Sequence, residues 1–503
     1  MPLARAKSFT SSFPRPALLG LGLAPLLLIA GCSLQPPAPS VPLATPAGWQ
    51  APLPAAAAAE PALPHHSSQQ RLLEWWQQAG DPALPGLIEA AQTASPTVGT
   101  ARSRFLQARA TRVSSGAALG PTLDATAQTS RGFSQIAGGV ATQNQAGLQA
   151  SWEIDLFGAN SATRDAAQAR LEGAQAQWHD ARTSVAAEVA NELNNFRSCR
   201  RELAIQESDA ASRAESSRLT DLAMRAGFQS TANAALARAS SAEAAARARQ
   251  QRAACDISVK ALVALTALDE PTLRARLAAP AQPPSDTLFA IDHLPAAVLA
   301  QRPDLFNADR NVAAASAEVG SAQAKRYPRL TLAGSVGAAS FRARGTNVDV
   351  STWSIGPLAV TLPLFDGGRH RADIDAAQAR YDEAVTQYRA TARQAVREVE
   401  QALVNLESTA ARTTDARAAV EGYQASFEAT EQRYRGGLAS LLELEESRRM
   451  LLTARTTQSA LERERMAAWI ALYRAAGGGW SQEAPMPPDT PPAASTAPAT
   501  HPS

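Results

Sequence analysis

The side chains that most often carry chemistry in proteins are sparse in this 503-residue chain, which has six histidines and three cysteines. No histidine stands at the spacing that a metal site or a general acid–base pair requires. The histidines are His65, His66, His179, His293, His370 and His501. The sequence also lacks a nucleophile motif and a phosphate-binding loop. It therefore predicts a protein that is not an enzyme and that has no metal site and no cofactor.

The first cysteine, Cys32, follows a short apolar segment of the kind that directs export. Basic residues precede an apolar run over residues 17–29, and small residues lead into the cysteine. The run is shorter than the about 20 residues that a membrane-spanning helix needs. The segment resembles a bacterial lipoprotein signal, which implies cleavage after residue 31 and lipidation of Cys32. Ser33 after the cysteine resembles an outer-membrane sorting signal, and a transmembrane anchor is the alternative.

The other two cysteines, Cys199 and Cys255, lie 28 residues on either side of Gly227. In an antiparallel helical hairpin that turns at Gly227, both would lie about 42 Å from the turn, at 1.5 Å per residue. A disulfide persists in an oxidising compartment such as the periplasm. The spacing therefore predicts a disulfide between them, and the alternative is a pair of buried free thiols.

These residues belong to two copies of one structural unit. The hexapeptide at residues 165–170 recurs at 375–380, 210 positions later, and Arg225-Ala226-Gly227 meets Arg435-Gly436-Gly437 at the same offset. The sequence therefore predicts the following organisation. There is a signal (1–31), an N-terminal tether (32–70), repeat 1 (71–270), a linker (271–294), repeat 2 (295–480) and a disordered Pro-rich tail (481–503).

A heptad seam dominates the second copy, where apolar residues step by three and four positions from 374 to 434. Such a seam is typical of long left-handed coiled coils. In the first copy, a helix over residues 158–224 would be about 100 Å long, whereas ordinary helices average about 11–12 residues. Helices of this length must pack along partners. A helix of moderate length is expected before them in each copy, over residues 84–118 and 295–325.

Each copy also contains two segments of alternating polarity, which predict strands. They cover residues 121–133 and 147–156 in the first copy and 330–341 and 352–364 in the second. Ten residues is the length of a tilted transmembrane strand. Because lipid does not tolerate open sheet edges, four such strands must be completed by other subunits. Three chains would give 12 strands and two would give eight; a pair of soluble hairpins is the alternative.

The order of these elements and several motifs resemble the TolC-type outer membrane factor family, in particular its lipoprotein branch resembling OprM. The motifs are Trp75-Trp76 with Asp81-Pro82, then residues 301–305, 319–320, 327–330, 362–368 and 472–480. The resemblance covers about residues 72–480. It implies a mainly α fold with membrane β, a trimeric channel-tunnel. Each chain would give four strands to a 12-stranded barrel and long coiled-coil helices to a periplasmic α-barrel.

The same resemblance implies the outer membrane channel of a tripartite efflux system that exports drugs or other toxic small molecules. The implied partners are two further copies, a periplasmic adapter protein, an inner-membrane pump of the resistance-nodulation-division (RND) class and outer membrane lipid. After signal removal the formal charge falls from +2 to −1, which gives nucleic-acid binding no support. The alternatives are the tunnel of an ATP-driven type I protein secretion system and a lipid-anchored trimeric coiled-coil adhesin or scaffold.

Two helix–helix turns are candidate docking sites. Gly227 and Gly437 suit the left-handed position after a helix, and an arginine in the last turn complements the helix dipole. The resemblance implies that these turns contact the adapter, and the alternative is helix capping alone. The predicted docking residues are Arg225, Gly227, Ser230, Arg435, Gly437 and Ser440.

Just beyond the second turn, Glu443 and Glu446 share one helix face. Threefold symmetry would turn each into a ring of three carboxylates, and such rings bind cations in channels. Both are therefore predicted to form a periplasmic gate. The first repeat has Asn233 and Leu236 at the equivalent positions, so only one repeat would supply the ring. The alternative is a solvated pair that faces outwards.

Overall fold

A computed structural model of the chain describes residues 34–42, 48–52, 75–135, 137–281, 286–289 and 296–480. The predicted signal, Cys32 and the tail 481–503 lie outside the described residues. The helices and strands are α1 (Trp75–Gln78), α2 (Leu84–Ala94), α3 (Pro96–Ala117), β1 (Thr122–Ser134), β2 (Gly139–Ile154), α4 (Ala159–Arg225), α5 (Thr231–Thr266), α6 (Glu270–Leu277), α7 (Pro303–Ala324), β3 (Arg329–Ala343), β4 (Thr346–Thr361), α8 (Arg369–Arg435) and α9 (Leu441–Ala475).

The two longest helices repeat each other. Both α4 and α8 have 67 residues, and they begin at residues 159 and 369, the offset of the repeated hexapeptide. Each is followed by a short turn and a second long helix, of 36 residues for α5 and 35 for α9. The prediction of a mainly helical chain with long paired helices is confirmed. Among the described helices, none is both long enough and apolar enough to cross a membrane.

The shorter helices before the strands are divided, so the prediction of one continuous helix in each copy was wrong. In the first copy, Ser95 ends α2 and caps α3, because its side chain accepts a hydrogen bond from the backbone N–H of Val98. Pro96 then starts α3. Proline has no N–H to donate and its ring clashes with the preceding turn, so it starts a helix more readily than it continues one. In the second copy a 3₁₀ segment, Ala296–Gln301, precedes α7, which starts at Pro303.

The four strands form one antiparallel sheet in the order β1-β2-β3-β4. The two predicted hairpins are joined, because β2 pairs with β3 from Ala141↔Ala343 to Ile154↔Leu330. Side chains alternate between the faces. One row that crosses the sheet is polar: Asp124, Gln149, Ser335 and Ser354. The adjacent row, on the other face, is Ala125, Leu148, Val336 and Trp353.

The apolar face of the sheet is exposed in the single chain. Trp353 is 77% exposed and Ile355 is 85% exposed. Large apolar side chains of β4 continue this face through Leu358 and Val360, which are also exposed. A soluble protein rarely leaves a contiguous apolar surface of this kind uncovered.

The strands β2, β3 and β4 are longer, and the turns shorter, than the alternation predicted. β2 begins at Gly139 and β4 at Thr346, whereas the sequence pattern placed their starts at residues 147 and 352. The β-hairpin of β3 and β4 closes through Arg344 and Gly345, whose φ angles are 50° and 83°. Two consecutive residues with positive φ make a tight hairpin turn. The early part of β2 was missed because residues 142–145 are polar on both faces.

The helical unit comprises the described residues within 38–120, 163–317 and 376–480. Taken by itself, it has an aromatic core near the C-terminal end of α9. The Trp76 ring lies 6.2 Å from that of Trp469 and 4.3 Å from that of Tyr473, between ring centroids. Trp469 is fully buried. The carboxylate of Glu400 in α8 accepts hydrogen bonds from the backbone N–H groups of Gln50 and Ala51, both at 2.7 Å. Residues 48–52 are therefore held against α8 and are not the flexible tether that their composition predicts.

A disulfide joins Cys199 of α4 to Cys255 of α5, with Cα atoms 5.5 Å apart. Both cysteines pack with Leu203 in a small buried cluster. The second hairpin has Thr409 and Arg465 at the equivalent positions, so the bond ties together the first hairpin, α4 with α5, and not the second, α8 with α9.

We predict that a non-reducing digest of the protein gives two peptides joined by a disulfide between Cys199 and Cys255. The cysteines are 56 residues apart, and a loop of this size restricts the unfolded chain by roughly 4 kcal/mol in the chain-entropy model. The variant with Cys199→Ser and Cys255→Ser should therefore melt at a lower temperature. Recovery of the two cysteines in separate, freely alkylated peptides would exclude the bond.

Candidate functional site: the hairpin tips and a buried polar cluster

The turn of the first hairpin, tip 1 (residues 225–230), ends α4 with a Schellman motif. Gly227 has a φ of 82°, which only glycine adopts without strain. The backbone N–H of Phe228 donates to the carbonyl of Ala223 at 2.8 Å, and that of Gly227 donates to Met224 at 3.0 Å. These two bonds satisfy carbonyl groups that the end of a helix leaves unpaired.

The turn of the second hairpin, tip 2 (residues 435–440), has the same geometry. Gly437 has a φ of 73°. The backbone N–H of Leu438 donates to the carbonyl of Arg433 at 2.7 Å, and that of Gly437 donates to Tyr434 at 3.0 Å. A Cβ atom at Gly227 or Gly437 would meet no atom within 4 Å. The glycines are therefore required by backbone conformation and not by close packing.

The two predicted serines cap the helices that follow the tips. Ser230 accepts a hydrogen bond from the backbone N–H of Asn233 at 3.1 Å. Ser440 accepts one from Glu443 at 3.2 Å, and the Glu443 carboxylate accepts the backbone N–H of Ser440 at 3.0 Å. This reciprocal pair is a capping box. Only the second hairpin has it, because Asn233 occupies the position of Glu443 in the first.

Each tip presents a large apolar side chain beside an arginine. Phe228 is 84% exposed and Leu438 is 73% exposed. Arg225 and Arg435, the last residues of α4 and α8, are exposed as well. The sequence prediction identified the arginines and glycines but missed Phe228 and Leu438. The sequence feature that could have identified them is a large apolar residue directly after the cap glycine. A side chain at that position commonly packs against the helix, whereas Phe228 and Leu438 are exposed to solvent.

The predicted gate residues have local partners in the single chain. Glu443 is engaged in the capping box. Glu446 forms an ion pair with Arg449 at 2.6 Å, and the hydrogen bond from Arg449 lowers the pKa of the Glu446 carboxyl. The Glu446 side chain is 46% exposed. Neither carboxylate is buried, so both remain accessible to ions.

A buried polar cluster joins the two hairpins near the tips, and sequence reasoning did not identify it. Its members are Asp209 and Arg213 of α4, Ser240 of α5, and Glu445 and Arg448 of α9. The Glu445 carboxylate accepts hydrogen bonds from all three of its partners: Arg213, Ser240 at 2.8 Å and Arg448 at 2.6 Å. Glu445 therefore connects three helices through one carboxylate.

The two arginines of the polar cluster are among the most buried charges in the described residues. Arg213 is 8% exposed and Arg448 is 3% exposed. Arg213 also binds Asp209 at 2.9 Å, and Arg448 donates to the hydroxyl groups of Ser212 and Ser216 at 3.1 and 3.0 Å. Burial lowers the pKa of Arg448, and the charge of Glu445 opposes that shift.

Apolar packing surrounds the polar cluster and adds to the contact between hairpins. Ala237 of α5 packs with Leu441 and Leu444 of α9. Phe427 and Tyr434 of α8 lie against this group. The Tyr434 hydroxyl is 3.0 Å from that of Thr220 in α4. The tips are therefore fixed relative to each other within one chain by both polar and apolar contacts.

Within the residues that the structure describes, no group of three or more His, Cys, Asp or Glu side chains is placed to hold a metal ion. At the tips, exposed apolar and arginine side chains therefore stand on helices that the polar cluster and its apolar packing hold together.

Comparison with known proteins gives consistent matches along the chain. The family model described as outer membrane efflux protein matches residues 87–268 and 294–478. The chain is 30% identical over 483 residues to the pyoverdine export outer membrane protein OpmQ of Pseudomonas putida, covering 92% of this chain and 98% of that protein. It is 28% identical over 486 residues to the solvent efflux pump outer membrane protein SrpC of Pseudomonas putida, covering 91% and 97%.

Solved structures agree with these matches. The outer-membrane channel OprN is 27% identical to this chain and superposes with a TM-score of 0.77, covering 88% of this chain and 99% of that one. The similarity therefore includes both the helical hairpins and the strands.

We predict that Glu445→Gln loosens the contact between hairpins. Removing one charge from a buried ion pair typically costs about 3–5 kcal/mol, so amide hydrogen exchange should accelerate around residues 209–220 and 441–450. Glu446→Gln is the matched control, because its exposed pair with Arg449 is worth about 0–1 kcal/mol. Equal protection in the two variants would show that Glu445 does not hold the hairpins together.

Proposed function

This chain belongs to the outer membrane efflux protein family, and from that premise we propose that it is the outer membrane channel of a tripartite RND-class pump. Its matched relatives are named for the export of pyoverdine and of solvents. We therefore assign small molecules as the class of exported compound. Passage through a channel requires no bond to be made or broken.

The observation that carries this proposal is the incomplete sheet. Its outer strands, β1 and β4, each have one paired neighbour in the part of the chain that the structure describes, and one face of the sheet is apolar and exposed. Lipid tails can cover an apolar face. They cannot cover an open edge, because the bilayer core contains no water to hydrogen-bond the unpaired backbone groups. Three copies supply 12 strands, which closes the sheet as a barrel. The assembled protein is therefore a homotrimer in contact with outer membrane lipid.

The tips are the proposed contact for a periplasmic adapter protein, which links the channel to the inner-membrane pump. Phe228 and Leu438 are exposed apolar side chains beside Arg225 and Arg435. Aromatic and arginine side chains are enriched among residues that dominate binding energies at protein interfaces. The capping bonds of Gly227, Ser230, Gly437 and Ser440 hold these side chains in place.

Lipidation of Cys32 is the proposed second link to the outer membrane. The motif before Cys32 and the Ser33 that follows it support this assignment. The described segment nearest to Cys32 begins at Leu34. The side chain of Gln323 donates a hydrogen bond to the Gln35 carbonyl at 3.3 Å. Because this hydrogen bond holds residue 35 against α7, a lipid on Cys32 would be attached close to that helix.

We predict that Arg225→Glu with Arg435→Glu abolishes export, since reversed charges at both tips oppose adapter docking. Drug or solvent resistance should fall to that of a strain without the channel, while the purified trimer keeps its mass. The matched control reverses two exposed arginines away from the tips, Arg249→Glu and Arg397→Glu, and should retain resistance. Wild-type resistance in the tip variant would refute docking through these arginines.

We also propose that Glu443 and Glu446 give the channel its preference for cations. In the trimer each becomes a ring of three carboxylates, which attract cations and repel anions. Glu443→Gln with Glu446→Gln should therefore shift the reversal potential in a salt gradient towards zero. Glu464→Gln, an exposed glutamate farther along α9, serves as the control. If the double variant keeps the wild-type reversal potential, the rings are not the selectivity element.

A further inference from the structure

The apolar face of the sheet has a length that suits a membrane, and it becomes polar towards the hairpin turns. On β2 this face is apolar at every second residue from Ile154 to Ala146, which is about 27 Å at 3.4 Å per residue. Transmembrane barrels have an apolar band about 25 Å tall. Beyond Ala146 the same face of β2 continues with Asn144 and Thr142, so the apolar band ends there.

The second polar row beyond the band consists of hydrogen-bond donors. Strand pairing aligns Arg131 of β1, Thr142 of β2, Arg342 of β3 and Asn347 of β4, and we call these four residues the donor row. The row lies about 14 Å along β2 from Ala146. Because β1 and β3 are two strands apart, the backbones of the two arginines are separated by about 9.5 Å. Both guanidinium groups can therefore reach one ligand.

The donors of this row are not used by other described residues. Arg131 and Arg342 are exposed, and neither side chain makes a hydrogen bond or an ion pair within the part of the chain that the structure describes. The side-chain carbonyl of Asn347 accepts the Ser340 hydroxyl at 3.1 Å, which leaves the NH2 group to bind a ligand. Arg344 differs, because its guanidinium donates to a backbone carbonyl in the turn of the other hairpin.

The charges near the donor row favour an anion. Among the described strand residues, the ionisable side chains on this face are Arg131, Arg342 and Asp349. Asp349 lies in the preceding row, opposite Ser340, and forms no ion pair with a described residue. Ile136, the one residue of the two β-hairpins outside the described residues, is uncharged. Each copy of the sheet therefore presents two guanidinium groups against one carboxylate on this face.

The position of the donor row along the strands places it near lipid headgroups. Both hairpin turns lie at one end of the sheet, and the chain continues into the long helices from the other end. In the channel proposed above, the helices extend into the periplasm, so the turns face the outside of the cell. A strand tilt of about 35–45° reduces 14 Å along the strand to about 10–11 Å along the membrane normal. The headgroup layer is about 5–7 Å thick, and long arginine side chains cover the remaining distance.

We propose that the donor row binds the phosphate groups of a phosphorylated glycolipid in the outer leaflet of the outer membrane. This proposal rests on the channel function proposed above. Guanidinium groups match phosphate oxygens in geometry as well as in charge. The acyl chains of the same lipid would pack on exposed side chains of the apolar band, such as Leu148 and Val336, a contact that free phosphate cannot make. A lipid therefore fits both the apolar and the cationic part of this face.

The test uses native mass spectrometry of the purified full-length trimer in detergent micelles. The probes are diphosphoryl lipid A and the same glycolipid with both phosphates removed. We expect up to three molecules of lipid A per trimer, because each chain has one donor row. The affinity should be at least about tenfold higher for the phosphorylated probe, since one hydrogen bond to a charged group contributes about that factor or more.

Variants locate the binding. Arg131→Gln with Arg342→Gln should lower the affinity for lipid A to that for the dephosphorylated glycolipid. Arg326→Gln with Arg329→Gln removes the same charge from exposed arginines at the opposite end of the strands and should change neither affinity. Both variants should keep the mass of the trimer, because none of the four side chains has a partner among the described residues.

Three results would overturn the proposal: equal affinities of the wild type for the two probes, an unchanged lipid A affinity in the donor-row variant, or an equal loss of affinity in the control variant. Conductance in planar bilayers, measured on the same preparations, separates this failure from that of the channel. Trimers that conduct but give any of these three results refute phosphate binding alone. A protein that neither forms trimers nor conducts refutes the channel, and this proposal with it.

Discussion

Unpaired backbone groups at the edges of the sheet are the constraint on which the rest of the structure depends. Among the described residues of one chain, β1 pairs only with β2 and β4 pairs only with β3, so one side of each outer strand leaves its N–H and C=O groups without strand partners there. Charged side chains and short length often protect such edges in soluble proteins. Here the strands are 13 to 16 residues long, and one face is apolar. Further copies of the chain would pair the open edges, and lipid would cover the apolar face.

The long helices must bury their apolar surface, and they do so through side-chain contacts with neighbouring helices. Helices of 67 residues cannot be covered by one compact core, so α4 and α8 bury apolar seams against their hairpin partners and against other helices. The seams are rich in alanine, which lets helices approach closely but contributes little apolar area per residue. Specific links then fix the register. The disulfide holds the first hairpin, and the polar cluster around Glu445 joins it to the second.

The sequence predicted the periodic parts of this structure well. The heptad seam and the repeated hexapeptide located both long helices. An apolar seam can be buried along its whole length only if the helix that carries it is continuous. The symmetric spacing of Cys199 and Cys255 about Gly227 depends only on helix geometry, and the structure places the two sulfur atoms within bonding distance. The alternation over residues 147–156 located a strand because that part of the sheet has one polar and one apolar face.

Features that depend on a distant partner could not be predicted. Glu445 and Arg448 have the i, i+3 spacing of an ordinary solvated pair, and only the packing of α9 against α4 shows that Arg448 is buried. The exposure of Phe228 likewise could not be predicted, because it depends on whether another part of the fold packs against this side chain. The beginning of β2 was missed for a different reason: residues 142–145 are polar on both faces, so pairing with β1 and β3 is the only evidence that they form a strand.

The most direct test of this account is the conductance of the purified full-length protein in planar lipid bilayers. A barrel closed by three copies should give discrete, uniform current steps in protein preparations whose mass is that of a trimer. A trimer that associates with lipid but never conducts, even with the tip contacts weakened by Glu445→Gln, would contradict the assignment of this chain as a channel.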